Sequence, residues 1–158
     1  MEGWKVEKIE DADRRAAYTQ AVLESLPEWF GNPESLAEYA EEVRGLPLWA
    51  AVQRDGTPLG ILAGTVHYGH TGDLVVMGVV PGLHRQGVGR GLYLAAEAYF
   101  AEKGCRYVMV KTLSDKVDFA PYKSTRRFYR GMGFEPLVTL TEMWDEENPC
   151  LIMLKRVG

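Results

Sequence analysis

Cysteine and long apolar runs are scarce in this sequence, and each scarcity excludes a class of protein. Among 158 residues there are 2 cysteines, Cys105 and Cys150. They form neither a CxxC pair nor zinc-ligand spacing, so we expect two reduced thiols and no structural zinc. The apolar runs, such as residues 74–80, are far too short to span a bilayer. The N-terminal residues lack the apolar stretch of a secretory signal. We therefore expect a cytoplasmic protein that makes no use of a membrane.

Positive charge is not in excess either. The chain carries 18 Lys and Arg against 22 Asp and Glu, a net charge of −4. Proteins that bind nucleic acid usually present a basic surface, so we expect no nucleic-acid partner. A phosphorylated small molecule remains compatible, because such sites depend on local groups. The length suits one domain, and no repeat, low-complexity tract or linker divides it. We therefore treat residues 1–158 as a single domain.

Periodicity and turn residues predict an α+β fold, with a mostly antiparallel mixed sheet of six to seven strands and about four helices. Asp55-Gly56 is a strong hairpin signal, and short turns join three successive strands. The next strand, helix and strand form one βαβ crossover, which favours a parallel pair. The predicted helices cover residues 12–26 (capped by Asp11 or Asp13), 33–44, 89–103 and, after a polar loop at 113–123 and a Ser124 cap, 125–132. The predicted strands cover residues 4–9, 48–53, 59–67, 73–80, 107–112, 134–140 and 151–155.

The crossover helix has apolar residues at helical spacing, which predicts its buried face. Gly104 follows it and suits a C-terminal cap. We expect the buried stripe to consist of Val88, Leu92, Ala95, Ala96 and Tyr99.

A glycine-rich segment between the valine-rich strand and this helix is the most informative part of the chain. Glycines and the first turn of a helix present backbone N–H groups to an anion, which suits a pyrophosphate. The dinucleotide pattern GxGxxG fails because Leu92 stands at the third glycine. The P-loop pattern fails because Val88 and Gly89 replace Lys and Ser/Thr. The segment reads Pro81-Gly82-Leu83-His84-Arg85-Gln86-Gly87-Val88-Gly89-Arg90-Gly91.

A third pattern fits this segment. Pro-x-x-[Arg/Gln]-x-x-Gly-x-Gly after a valine-rich strand resembles the coenzyme A signature of the GNAT acetyltransferases. Pro81 sets the register, although Gln86-x-x-Gly89-x-Gly91 also satisfies the short pattern. His84 stands where the family usually has Arg or Gln, so we expect the cofactor to be bound mainly by backbone groups and the glycines. The resemblance implies that the acetyl-CoA pyrophosphate is held by His84, Arg85, Gln86, Gly87, Val88, Gly89 and Arg90.

A second segment, residues 124–134, resembles the later motif of the same family, a short helix with Phe-Tyr that ends in Gly-Phe. The family's tyrosine protonates the departing thiolate, and here that residue is Tyr129. A phenol has a pKa of about 10 and keeps its proton at neutral pH. In isolation, Tyr129 beside Phe128 would be an ordinary core tyrosine. The family's fourth strand also holds the pantetheine arm through backbone groups, where it splays from the crossover strand. The corresponding residues are Met77, Gly78 and Val79.

An acceptor amine is mostly protonated at neutral pH and must lose a proton before it attacks. Some family members use a carboxylate six residues before the position of Val79, which makes Asp73 a candidate base. Asp73 is equally explained as a turn aspartate. Glu28, Trp29 and Phe30, with the loop at residues 114–119, are further candidates for the acceptor pocket. His67 and His70 show HxxH spacing, but they lie at a strand end and turn, so we expect no metal site.

The resemblance therefore implies direct acetyl transfer from acetyl-CoA to a small-molecule amine. Two alternatives stay open: a protein or peptide N-acetyltransferase, and a coenzyme A-binding module without activity. The acceptor and the oligomeric state, with a homodimer as one alternative, are not specified by the sequence.

Overall fold

A computed structural model describes residues 3–83 and 86–158. These residues form seven β-strands and four α-helices, with a short 3-10 helix at Val43–Gly45. The helices are α1 (Ala12–Glu24), α2 (Pro33–Glu42), α3 (Val88–Glu102) and α4 (Ala120–Gly131). The strands are β1 (Trp4–Lys8), β2 (Leu48–Gln53), β3 (Pro58–His67), β4 (Thr71–Val79), β5 (Tyr107–Leu113), β6 (Glu135–Asp145) and β7 (Asn148–Arg156).

The strands form one mixed sheet in the order β1-β2-β3-β4-β5-β7-β6. β4 and β5 are parallel, with Thr71 opposite Tyr107 and Leu74 opposite Val110. The pairs β1–β2, β2–β3, β5–β7 and β6–β7 are antiparallel. The predicted α+β fold with one crossover is therefore confirmed, and α3 is the crossover helix.

The first two helices begin where side chains cap their free N–H groups. Asp11 accepts a hydrogen bond from the Asp13 N–H at 3.0 Å, so Asp11 is the cap of α1. Asn32 accepts from the N–H groups of Glu34 and Ser35 at 2.8 and 3.3 Å. Pro33 occupies the first turn of α2, where a missing N–H costs nothing.

Two compact units make up the chain, and the expectation of a single domain stays a prediction. Unit 1 comprises Met1–Thr65 and Val75–Tyr99, and unit 2 comprises Val66–Leu74 and Phe100–Gly158. The core of unit 1 packs α1 and α2 against one face of the sheet, through Val22, Leu23, Leu26, Leu36, Leu48, Ala50, Val52, Ile61, Ala63 and Val76.

The other face of unit 1 packs against α3. Trp49 contacts Tyr99 edge to face, with ring centroids 5.2 Å apart. A Cβ at Gly60 would stand 3.0 Å from the Leu92 side chain, so glycine lets helix and sheet approach closely. Val88, Leu92 and Ala96 are fully buried, as predicted. Ala95 and Tyr99 are only half-buried, whereas Tyr93 and Phe100 are fully buried.

The last third of the chain differs from its predicted element boundaries. α4 begins at Ala120 and not at Thr125, because Pro121 lies in its first turn, where proline is tolerated. Phe119 is its N-cap residue and supplies no side-chain hydrogen bond. β6 and β7 are also longer than predicted, and Asp145 and Asn148 flank the turn between them.

None of the described helices is long and apolar enough to cross a membrane.

Candidate active site

The loop between β4 and α3 turns sharply before the helix begins. The Val80 N–H donates to the Leu59 carbonyl at 2.9 Å, which ties the end of β4 to β3. The Gln86 N–H donates to the Leu83 carbonyl at 3.2 Å. Gly87 then has φ +82°, a left-handed conformation that favours glycine. The predicted cradle residues His84 and Arg85 lie outside the described residues.

α3 begins directly after Gly87. The Gly91 N–H bonds to the Gly87 carbonyl at 2.9 Å, and the N–H groups in the first turn of a helix have no partner within the helix itself. Gln86, Gly87 and Arg90 are exposed, and Val88 and Gly89 are buried. The Val88 side chain is therefore part of the core and offers a ligand no contact. The local positive end of the helix dipole and the Arg90 side chain both favour an anion here.

β4 leads into this loop. The final residues of β4 pack against α1. Met77 is half-buried, and Gly78 and Val79 are buried. A Cβ at Gly78 would stand 2.9 Å from Cδ1 of Leu26 and 3.2 Å from Cδ2 of Leu23. The absence of a side chain lets α1 and Leu26, just beyond its C-terminus, pack closely on the strand.

Tyr129 lies near the C-terminal end of α4 and is 6% exposed. Its ring packs edge to face against Phe128 and Phe134, at centroid distances of 5.5 and 5.6 Å. Burial, with a smaller contribution from Tyr122, raises the pKa of the Tyr129 phenol above its ordinary value. The hydroxyl therefore keeps its proton throughout the neutral range and can act as a proton donor.

A buried arginine attaches α4 to β5. Arg126 is 8% exposed, and its Nη1 donates to the Leu113 carbonyl at 2.8 Å. Sequence reasoning assigned Arg126 no role, since a charged residue on a short helix is usually solvated. Its position three residues before Tyr129, on the same helical face, is the signal that could have indicated an inward-facing side chain.

Asp73 is the second predicted catalytic residue, and it lies in a charged cluster of unit 2. It is 2% exposed. Its Oδ2 is 2.8 Å from Nε2 of His67 and 3.4 Å from Nζ of Lys111. Its Oδ1 is buried and has no hydrogen-bond partner among the described residues. Burying a carboxylate is costly unless it is paired, and a hydrogen-bonding imidazole together with the Lys111 ammonium reduces that cost. Sequence reasoning identified neither partner in this arrangement.

Some of the other residues predicted to line the acceptor pocket pack within the protein. Trp29 and Phe30 are half-buried and pack on the core of unit 1, and Phe30 meets Tyr39 edge to face at 5.8 Å. Glu28 is exposed. In the loop at residues 114–119, Ser114 is fully buried and its hydroxyl lies 3.3 Å from that of Thr139. Ser114 therefore anchors the loop.

The cysteines and the second histidine show no sign of catalytic arrangement. Cys105 and Cys150 are both free and buried. Burial raises the pKa of each thiol, which disfavours a thiolate nucleophile. His70 pairs with the Thr71 hydroxyl at 2.6 Å. Within residues 3–83 and 86–158, no group of three His, Cys, Asp or Glu side chains stands in metal-binding proximity.

Comparison with known families identifies the class of protein. The model of the Acetyltransferase (GNAT) family matches residues 6–134. The match runs from β1 to the end of the α4 motif and includes the glycine-rich loop, Asp73 and Tyr129. The chain therefore belongs to the GNAT family of acetyltransferases, whose acetyl donor is acetyl-CoA. Among curated protein sequences, none matches significantly.

Solved structures agree on the fold. A GNAT-family protein from Desulfovibrio desulfuricans superposes with a TM-score of 0.83 at 22% identity, over 98% of this chain and 99% of its own. An aminoglycoside 6′-N-acetyltransferase complexed with coenzyme A gives 0.74 at 17% identity, over 97% of both chains. The ribosomal-protein-S18-alanine N-acetyltransferase from Escherichia coli gives 0.72 at 16% identity, over 98% of this chain and 94% of its own. At these identities the likeness concerns fold, and the acceptors named differ in size and type.

Proposed function

We propose that this acetyltransferase moves the acetyl group of acetyl-CoA to a primary amine of a small molecule, by direct attack of the amine on the thioester. The observation that carries the proposal is the start of α3 directly after left-handed Gly87, within the GNAT-matched region, where Gln86, Gly87 and Arg90 are exposed. Its N–H groups and Arg90 suit the pyrophosphate, together with His84 and Arg85. Backbone groups of β4 at Met77–Val79 suit the pantetheine arm and the developing oxyanion.

Tyr129 is proposed as the acid that protonates the departing thiolate. A phenol with a raised pKa retains its proton at neutral pH but is a weaker acid. The thiolate becomes a stronger base if it leaves in an equally apolar environment, because desolvation disfavours both anions. The two pKa values are then better matched than they would be in water, and the proton moves as the C–S bond breaks.

The acceptor side of the proposal rests on charge. Residues 16–43, which form most of α1 and all of α2, contain six glutamates and no Lys, Arg or His. All six are exposed, and although Arg44 pairs with Glu41 at 3.3 Å, this stretch of unit 1 is rich in negative charge, which favours cationic acceptors. The glutamates are Glu24, Glu28, Glu34, Glu38, Glu41 and Glu42.

A turnover screen tests the proposed function. Release of free coenzyme A from acetyl-CoA is followed with spermidine, tobramycin and an alanine-initiated peptide as separate acceptors. We expect turnover with at least one small amine and less with the peptide. Preference for the peptide would instead identify a protein N-acetyltransferase. Binding of acetyl-CoA without turnover of any amine would identify a module that binds coenzyme A only.

The Tyr129→Phe variant tests the acid. Phenylalanine preserves the packing against Phe128 and Phe134 but removes the proton, so kcat should fall about 100-fold with the KM for acetyl-CoA nearly unchanged. Tyr107→Phe on β5 is the matched control, and we expect it to resemble the wild type. Equal kcat values for the two variants would remove Tyr129 from the acid role.

A further inference from the structure

Asp73 stands at the position expected, from the resemblance to some family members, for a base, yet its surroundings leave an acceptor no direct access. The residue is 2% exposed, and its buried Oδ1 has no hydrogen-bond partner in the part of the chain that the structure describes. An amine would have to displace neighbouring protein atoms to reach either oxygen. A proton from solvent or from an acceptor therefore needs an intermediate carrier.

His67 is suited to carry that proton. Its side chain is 45% exposed, and its Nε2 lies 2.8 Å from Oδ2 of Asp73. Nε2–H donates to the carboxylate in the neutral imidazole, which leaves the Nδ1 lone pair free to accept. A carboxylate that fixes the tautomer in this way also stabilises the imidazolium after protonation.

The charges around the pair are consistent with this role. Lys111 on β5 approaches the same Oδ2 at 3.4 Å and is 35% exposed, so a second donor contacts the carboxylate oxygen that His67 contacts. In the turn after His67, the His70 side chain pairs with Thr71, and its ring stacks on Tyr68 at 6.2 Å. Among the described residues, Asp73 is thus the carboxylate that contacts the His67 ring.

We propose that His67 is the base that deprotonates the acceptor ammonium, and that Asp73 is a positioning residue that holds the His67 tautomer. The ammonium N–H proton passes to Nδ1, and the freed amine forms the C–N bond with the acetyl carbon. The C–S bond then breaks as the thiolate takes the Tyr129 proton, and the nitrogen releases its second proton, which reprotonates the phenol. The imidazolium then releases its proton to solvent. The inference rests on the proposed amine acetylation and deepens it.

The kinetic test compares His67→Gln with His70→Gln, two substitutions in the same turn region of which only the first removes the base. With the amine selected by the turnover screen, His67→Gln should lower kcat/KM about 100-fold at pH 7, and His70→Gln should have no effect. The deficit should shrink as the pH rises toward the pKa of the amine, because the free-amine fraction grows about tenfold per pH unit. A structural role would give a deficit independent of pH.

Asp73→Asn and the double variant test the positioning role. Asp73→Asn should lower kcat more than it raises KM, and His67→Gln/Asp73→Asn should be no worse than the poorer single variant, since the two residues act as one unit. Effects that multiply would contradict the proposal. Thermal unfolding of each variant identifies any loss that comes from misfolding.

A measurement independent of activity uses nitrogen-15 chemical shifts of the histidine rings. Wild-type His67 should show the tautomer with the proton on Nε2, and Asp73→Asn should lose that preference. A wild-type ring protonated on Nδ1 overturns the inference. Failure of the wild type to acetylate any amine overturns the proposed function, whereas an active enzyme in which His67→Gln equals His70→Gln overturns only the present inference.

Discussion

Gly72 shows how far a single residue is constrained by its neighbours. A Cβ built on it would stand 2.6 Å from the ring of Phe100, closer than any tolerated contact. Gly72→Ala should therefore destabilise the protein by about 1–3 kcal/mol, as overpacking of a dense core does. Urea unfolding measures this change. Gly45→Ala is the matched control, because a Cβ there meets nothing within 4 Å.

The cause assigned to Gly72 can be separated from a general loss of backbone freedom. Phe100→Leu replaces the ring with a smaller side chain and creates space beside residue 72. If steric conflict is the cause, Gly72→Ala should cost less in the Phe100→Leu background than in the wild type. Strictly additive costs would contradict the steric explanation.

At the same scale, the sequence indicated some site residues and left others unrecognised. Tyr129 and Asp73 were predicted from the motifs in which they stand, and their roles remain predictions. The His67–Asp73–Lys111 cluster was not predicted, because Lys111 is 38 residues from Asp73 along the chain and meets it only through the pairing of β4 with β5. Spacing in sequence carries no signal for such a contact.

The cap of α2 allows a prediction at the scale of one element. Asn32 accepts two backbone hydrogen bonds through its side chain. Asn32→Ala should cost about 1 kcal/mol of unfolding free energy, because two N–H groups lose their acceptor. Asn32→Asp retains a capping oxygen and should remain close to the wild type in the same urea titration. Equal losses in both variants would argue against capping as the cause.

Prediction of whole elements succeeded where local signals were strong. β2 was predicted at residues 48–53 and is Leu48–Gln53, since it lies between Pro47 and the Asp55-Gly56 turn. The start of α4 was wrong because Pro121 was interpreted as a loop residue, although proline suits a first helical turn. β6 was predicted too short because most of its residues are exposed, so burial imposes no clear alternation on its sequence.

At the scale of the whole molecule, binding of acetyl-CoA should stabilise the native state. Ligand at about 100 times its Kd adds about 2.7 kcal/mol of unfolding free energy. For a chain of this size, each kcal/mol raises Tm by about 2–4 °C, so a shift of about 5–10 °C is expected. Differential scanning fluorimetry with and without acetyl-CoA measures this shift, whatever the acceptor is.

The Arg90→Ala variant tests whether that stabilisation comes from binding at the N-terminus of α3. Arg90 is exposed in the first turn of the helix, and loss of its charge should weaken acetyl-CoA binding about tenfold, or about 1.4 kcal/mol. The thermal shift at the same ligand concentration should then fall to about half. Arg54→Ala is the matched control, since Arg54 is an exposed arginine in the β2–β3 turn and its removal changes net charge equally.

Added salt should reduce the wild-type shift more than the Arg90→Ala shift, because the lost interaction is electrostatic. If Arg90→Ala and Arg54→Ala retain equal shifts, Arg90 has no part in holding the pyrophosphate, and the cradle would have to depend on the helix backbone.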